Sequence, residues 1–366
     1  MVNRRQGLQT AVALAGLALS GGVSRAQSRP AVVSLSEQRS RFLVEVAVDG
    51  TSGYRFVLDT GATAHFISTR LVDQLRLPRI EERTVRGAGG PGRDTVVGIA
   101  RFNVGGVEMG RSRAVAWAPE RLEDHDGLVG YPFLFPRAVI ALREGRISLG
   151  AADAAAALTP VRAEVTRSQA LLLGGVAGAD GRFVFDTGSQ ACTISPAYHA
   201  RIRDTEAYRG AVKLVYRDAE GEARTTAFRP ARMSFGDFAV ADPIVRVGEA
   251  DGREGVFHGV DGLLGVSLLR PYSWAVDQAA GTLSVGGEAP QRLGWYGSGM
   301  RVAQAGGRSY VSAVADHGPA FEAGVRPGQG VVSLSAAPSD VPGLQVVELL
   351  DRGVRRLVEL ETRALL

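Results

Sequence analysis

In 366 residues the sequence holds one cysteine, Cys192, and one lysine, Lys213. A lone cysteine excludes an intramolecular disulfide. With one lysine, the basic side of the charge balance is almost entirely arginine, and three of these, Arg4, Arg5 and Arg25, fall in an opening stretch that carries no acid. Setting them aside turns the formal net charge of +4 into 39 basic against 38 acidic residues. No basic patch is left, and nothing points to nucleic acid. Long apolar runs are also missing. The one candidate, Leu8 to Leu19, is too short to span a bilayer. It follows Arg4 and Arg5 and ends in Ser24-Arg25-Ala26, the small-x-small pattern of a secretory leader. Residues 1–26 therefore read as a signal peptide, and the mature chain as exported, periplasmic or secreted, with no integral membrane segment. Asn3-Arg4-Arg5 leaves twin-arginine export open beside the general route. His65, His125 and His258 lack the spacing of a metal site or a triad and read as surface or loop residues; neither a metal nor a cofactor is expected. Cys192 reads as a small buried residue.

What the chain does have is one pattern written twice. Phe56-Val57-Leu58-Asp59-Thr60-Gly61-Ala62 leads on to Phe66-Ile67-Ser68, and Phe183-Val184-Phe185-Asp186-Thr187-Gly188-Ser189 leads on to Thr193-Ile194-Ser195. Each apolar triplet delivers one aspartate from the end of a strand, which suits a two-carboxylate site. Upstream, Phe42 to Val48 and a turn at Asp49-Gly50 predict a hairpin feeding Asp59; Leu171 to Val176 and a turn around Asp180-Gly181 predict its counterpart feeding Asp186. Ser68 and Ser195, the latter followed by Pro196, predict the starts of short helices. A second shared motif closes each copy: Asp126-Gly127-Leu128-Val129-Gly130 and Asp261-Gly262-Leu263-Leu264-Gly265. Its aspartates read as turn residues. In the first copy only, a glycine-dense segment containing Gly87, Ala88, Gly89 and Gly90 reads as the tip of a mobile hairpin, a flap that closes over a ligand.

Two carboxylates at close range cannot both stay ionised, so such a pair holds one proton between its members. The charged member can take a proton from water while the neutral one donates to a carbonyl. These residues resemble the pepsin and retropepsin superfamily of aspartic proteases, over roughly Arg41 to Gly287. The resemblance implies a mostly β fold: two retropepsin-like acid-protease lobes in a pseudo-two-fold arrangement, residues 31–150 and 161–287, joined by a linker at 151–160. It implies an aspartic-type endopeptidase with catalytic Asp59 and Asp186, polypeptide substrates, and loops tied together by Thr60 and Thr187. Gly61 and Gly188 let backbone amides approach the carboxylates. Ser189 can add a hydroxyl hydrogen bond to the second carboxylate where Ala62 cannot, which predicts that Asp186 is the more acidic partner.

Residues 292–366 differ in composition. Gly318-Pro319-Ala320, Ala323-Gly324-Val325 and Gly328-Gln329 resemble the PDZ domains of bacterial envelope proteases, with Gln329 where an aspartate is usual. That resemblance implies a small C-terminal PDZ-like α+β domain that takes a peptide ligand by strand addition, with Gly294-Trp295-Tyr296-Gly297 as a candidate loop. A different class of function is a catalytically silent peptide-binding or regulatory protein that keeps the cleft. Retention of both aspartates, both threonines and both glycines favours the enzyme.

Overall fold

The computed structural model describes residues 30–38, 41–87, 90–117, 125–150, 158–176, 178–205, 211–217, 222–248, 257–287, 296–305, 307–335 and 343–364. The leader lies outside these residues, as do Ala88 and Gly89 of the glycine-dense segment, residues 151–157 of the linker, and Gly294 and Trp295. The fold is mostly β and forms two compact units. One comprises Met1–Tyr198, Ser234–Ala239 and Glu249–Ala289; the other comprises His199–Met233, Val240–Gly248 and Pro290–Leu366.

In the first unit, β1 (Ala31–Ser34) and β2 (Ser36–Gln38) precede the hairpin of β3 (Arg41–Val48) and β4 (Thr51–Asp59). Phe42, Leu43, Val44, Phe56, Val57 and Leu58 are all buried, so both strands carry continuous apolar runs instead of an alternating pattern. Asp49 and Gly50 turn the chain with φ of 50° and 90°, the left-handed pair that a two-residue hairpin loop demands. β5 (His65–Ser68) then runs into α1 (Thr69–Leu75), whose first turn is capped by Ser68 accepting from Leu71 N at 3.2 Å. β6 (Arg79–Gly87) and β7 (Gly90–Val104) form a long hairpin in which Gly87 stands opposite Gly90. With β8 (Val107–Trp117) and β9 (Gly127–Gly130) they complete a sheet ordered β2-β3-β4-β9-β5-β8-β7-β6. β10 (Arg137–Ala141) and β11 (Arg146–Leu149) end this half.

The second half repeats the plan. After β12 (Thr159–Pro160) and β13 (Ala163–Val165), β14 (Ala170–Val176) and β15 (Ala179–Phe185) form the hairpin that ends at Asp186, followed by β16 (Cys192–Ile194) and α2 (Pro196–Ile202). Its turn lies earlier than expected. Val176 pairs with Ala179 and Gly175 with Asp180, so Asp180 and Gly181 belong to the strand, and Gly178, with φ of 75°, supplies the bend. Along the chain come β17 (Val212–Arg217), β18 (Glu222–Phe228), β19 (Arg232–Phe235), β20 (Phe238–Ala241), β21 (Val245–Val247), β22 (Gly262–Leu264), α3 (Val266–Leu269), β23 (Ser273–Asp277) and β24 (Thr282–Gly286).

The closing motif has the same job in both halves. β4 runs parallel to β9, from Phe56 opposite Gly127 to Asp59 opposite Gly130, and β15 parallel to β22, from Phe183 opposite Gly262 to Phe185 opposite Leu264. β5 and β16 flank β9 and β22 from the other side, antiparallel. A Cβ at Gly127 or Gly262 would collide with a carbonyl of that flanking strand and a phenylalanine ring, Phe56 or Phe183; one at Gly130 or Gly265 would collide with the Ala64 or Ala191 carbonyl. The glycines are therefore set by close backbone approach. Asp126 and Asp261 fix the same junction: Arg55 N donates to Asp126 Oδ2 and Arg182 N to Asp261 Oδ2, each at 2.9 Å, while Asp126 N and Asp261 N donate back to the Arg55 and Arg182 carbonyls. A six-stranded sheet, β1-β11-β10-β23-β24-β12, joins strands of both halves, and the Thr159–Pro160 end of the linker is one of its edges, pairing with β24.

In the second unit, β17 and β18 pair as a hairpin, and β18 pairs with β21. The C-terminal segment adds β25 (Tyr296–Gly297), β26 (Met300–Ala305), β27 (Arg308–Ala315), α4 (Pro319–Glu322), β28 (Gly330–Leu334), β29 (Gly343–Asp351) and β30 (Val354–Ala364). Val311, Val314, Ala320, Val325, Val347, Leu349, Val358 and Leu360 form its buried core. β17 joins this sheet through β27, with Leu214 opposite Ala315 and Tyr216 opposite Ala313.

Candidate active site

Asp59 and Asp186 stand at the ends of β4 and β15, and their carboxyl groups are brought face to face, each against the other loop's glycine. Beneath them the two threonines interlock. Thr60 Oγ1 donates to Phe185 O at 2.7 Å and accepts from Thr187 N at 2.9 Å; Thr187 Oγ1 donates to Leu58 O at 2.8 Å and accepts from Thr60 N at 3.1 Å. Both threonines are fully buried. Two backbone amides and two carbonyls are thereby engaged, and the two halves are joined at the root of the dyad.

Each carboxyl sits on two backbone amides. Gly61 N and Ala62 N both donate to Asp59 Oδ1 at 3.0 Å; Gly188 N and Ser189 N donate to Asp186 Oδ1 at 2.9 and 3.1 Å. The glycines serve a second purpose. A Cβ on Gly61 would strike the Asp186 carboxyl, and one on Gly188 the Asp59 carboxyl, so any side chain there would force the pair apart.

The electrostatics follow from this crowding. Burial raises both carboxyls above the ordinary carboxylate range; Asp186 is held well above it, with the charge of Asp59 adding to burial. Opposing this at Asp59 are the donors Ala62 N, Asp186 and Gly61 N and the charge of Arg41. The expectation that Asp186 is the more acidic partner rests on a Ser189 hydroxyl bond that the site does not make. Ser189 Oγ donates to Ala191 O at 2.9 Å, so its contribution to Asp186 comes from its backbone amide, as that of Ala62 does for Asp59. The hydroxyl that was to make Asp186 the more acidic partner is spent within its own loop.

Gly87 and Gly90 face each other across the β6–β7 hairpin, with Ala88 and Gly89 outside the described residues. Cys192 is buried, its thiol pushed up to about 11, chiefly by burial. His258 is exposed and His125 half-buried. His65 is neither a surface nor a loop residue. It lies in β5, almost fully buried, with its ring 5.0 Å from that of Phe102 and its Nδ1 accepting from Gly130 N at 3.1 Å. Burial lowers its pKa to about 4. Its position beside Phe66-Ile67 in an apolar strand was the available signal. No group of three or more His, Cys, Asp or Glu placed to hold a metal occurs among the described residues.

A family model described as aspartyl protease matches residues 44–133 and 172–268, about half of the chain. The chain belongs to the aspartyl protease family. The two matched segments of this family member span Asp59 to Gly130 and Asp186 to Gly265, so each holds one aspartate, its threonine and its closing glycine motif. No curated protein matches this member of the aspartyl protease family.

Proposed function

We propose that the chain is an exported aspartic endopeptidase in which Asp59 and Asp186 share one proton and activate a water against a peptide bond. The observation that carries this is the dyad: two facing carboxyls, each on two amides, over interlocked threonines. With Asp59 charged and Asp186 neutral, Asp59 accepts a proton from water as the water oxygen bonds to the peptide carbon. Asp186 passes its proton to the carbonyl oxygen, giving a neutral gem-diol. On collapse the proton on Asp59 moves to the leaving nitrogen, the C–N bond breaks, and a diol hydroxyl returns its proton to Asp186. The shared proton is restored and no covalent intermediate forms.

Two aspartate-bearing lobes fused in one chain, with the β6–β7 hairpin as flap, complete the reading. Residues 292–366 are proposed as a PDZ-like domain on the strength of their Pro-Ala and Ala-Gly-Val positions. Export rests on the opening arginines, the apolar run and Ala26, and places the mature chain in the periplasm or outside the cell. Mature wild type should cleave an unstructured protein such as casein somewhere between pH 3 and 8, with inhibition by aspartic-protease inhibitors. Asp59→Asn and Asp186→Asn should each lower the rate by roughly a thousandfold or more. Undiminished cleavage by either variant would overturn the dyad. Peptide binding without cleavage at any pH would favour the silent binding protein.

A further inference from the structure

The two halves of the site match closely except in charge. In the β3–β4 hairpin Leu43 stands opposite Val57; carried two residues further, that register sets Arg41 across from Asp59, on the same face. In the β14–β15 hairpin Leu171 stands opposite Val184, and the same extension sets Gln169 across from Asp186. Arg41 and Gln169 are both half-buried. One aspartate thus has a guanidinium across the hairpin and the other a neutral amide. The strands beside the two aspartates bring no charged side chain of their own. β9 offers Asp59 only Gly127, Leu128, Val129 and Gly130, and β22 offers Asp186 only Gly262, Leu263 and Leu264. His65, beyond β9, is kept neutral by burial down to pH about 4, and Cys192, beyond β22, keeps its proton to about 11.

We propose that Arg41 is a positioning residue that breaks the symmetry of the dyad, keeping Asp59 as the charged partner that deprotonates water and leaving the shared proton on Asp186 for the substrate carbonyl. The proposal rests on the endopeptidase reading for its consequence, though the charge distribution itself can be measured without catalysis. The charge of Arg41 lowers the Asp59 carboxyl, which agrees with it. A residue that merely braces the hairpin would leave the pH profile in place.

The test measures kcat/KM against pH for wild type, Arg41→Gln, Arg41→Lys and Gln169→Arg, together with carboxyl 13C NMR titration of each folded protein. Arg41→Gln should move the acid limb to higher pH, losing roughly three- to tenfold relative to its own plateau on that limb, and Arg41→Lys should restore it. Gln169→Arg, which leaves Arg41 in place, should move the basic limb to lower pH by stabilising the second charge. An Arg41→Gln profile that superimposes on wild type, or falls equally at every pH, overturns the proposal; so does an unmoved basic limb in Gln169→Arg, even if Arg41→Gln does not fold. Should wild type cleave nothing, the endopeptidase reading fails, and the NMR titration still decides whether removing Arg41 raises the first carboxyl ionisation.

Discussion

At the scale of single residues, the site combines groups with opposite demands on pH. Asp59 and Asp186 hold their protons more tightly when folded than when unfolded, so their contribution to stability is present in acid and is lost as pH rises through the folded values. His65 behaves in the reverse sense. Its pKa is about 4 in the fold against an ordinary 6.5, so the unfolded chain takes up the proton first. The stability tied to neutral His65 is whole above pH 6.5 and drains away towards pH 4, by roughly 3 kcal/mol in all. Protonation also ends the bond from Gly130 N, and Gly130 is the residue opposite Asp59. His65→Leu should therefore be less stable than wild type at neutral pH, because Gly130 N loses its acceptor, yet should lose less melting temperature between pH 7 and 4.5. Thermal melts of both proteins at the two pH values check this, and parallel losses would refute it.

At the scale of elements, two loops depend on two hydroxyls. Removing the Thr60 hydroxyl strands Phe185 O and Thr187 N in a buried place, and each stranded group costs about 1–3 kcal/mol. Thr60→Val should thus destabilise the protein by roughly 2–6 kcal/mol, whereas Thr60→Ser should cost under about 1 kcal/mol by keeping both bonds. Denaturant unfolding separates these outcomes. The same elements show how much could be read beforehand. Apolar-apolar-Asp-Thr-Gly and Asp-Gly-apolar-apolar-Gly are local strings, so the paired strands and helix starts were legible in both halves, whereas the second hairpin's turn at Gly178 and the strands β9 and β22 were not. Partners chosen by three-dimensional placement were not. Ser189 Oγ had Asp186 and Ala191 O within its short reach, and sequence could not choose between them. Residue type alone sends His65 to the surface, although its flanking Phe66 and Ile67 mark a buried strand. Arg41 gains meaning only once the β3–β4 register sets it against Asp59.

At the scale of the whole molecule, the halves diverge in what their long hairpins do. The β6–β7 hairpin belongs to the first unit's eight-stranded sheet, in which β6 is the edge. The β17–β18 hairpin belongs to the second unit, where β17 pairs with β27 of the C-terminal segment and Asp316 N donates to Lys213 O at 2.7 Å. Among the described residues the first hairpin thus keeps an edge strand, β6, while the second is built into a larger sheet. An extended peptide seeking the Ala313–Ala315 edge of β27 would have to displace β17, so strand addition by the C-terminal segment must use another edge. Truncation before Pro290 should then uncover β17, an edge prone to pair with other chains. We expect lower soluble yield and faster hydrogen exchange at the β17 amides than in the full chain. Exchange at those amides unchanged by the truncation would mean that β27 is not what protects them, and the C-terminal segment would lose its role as a brace for the second hairpin.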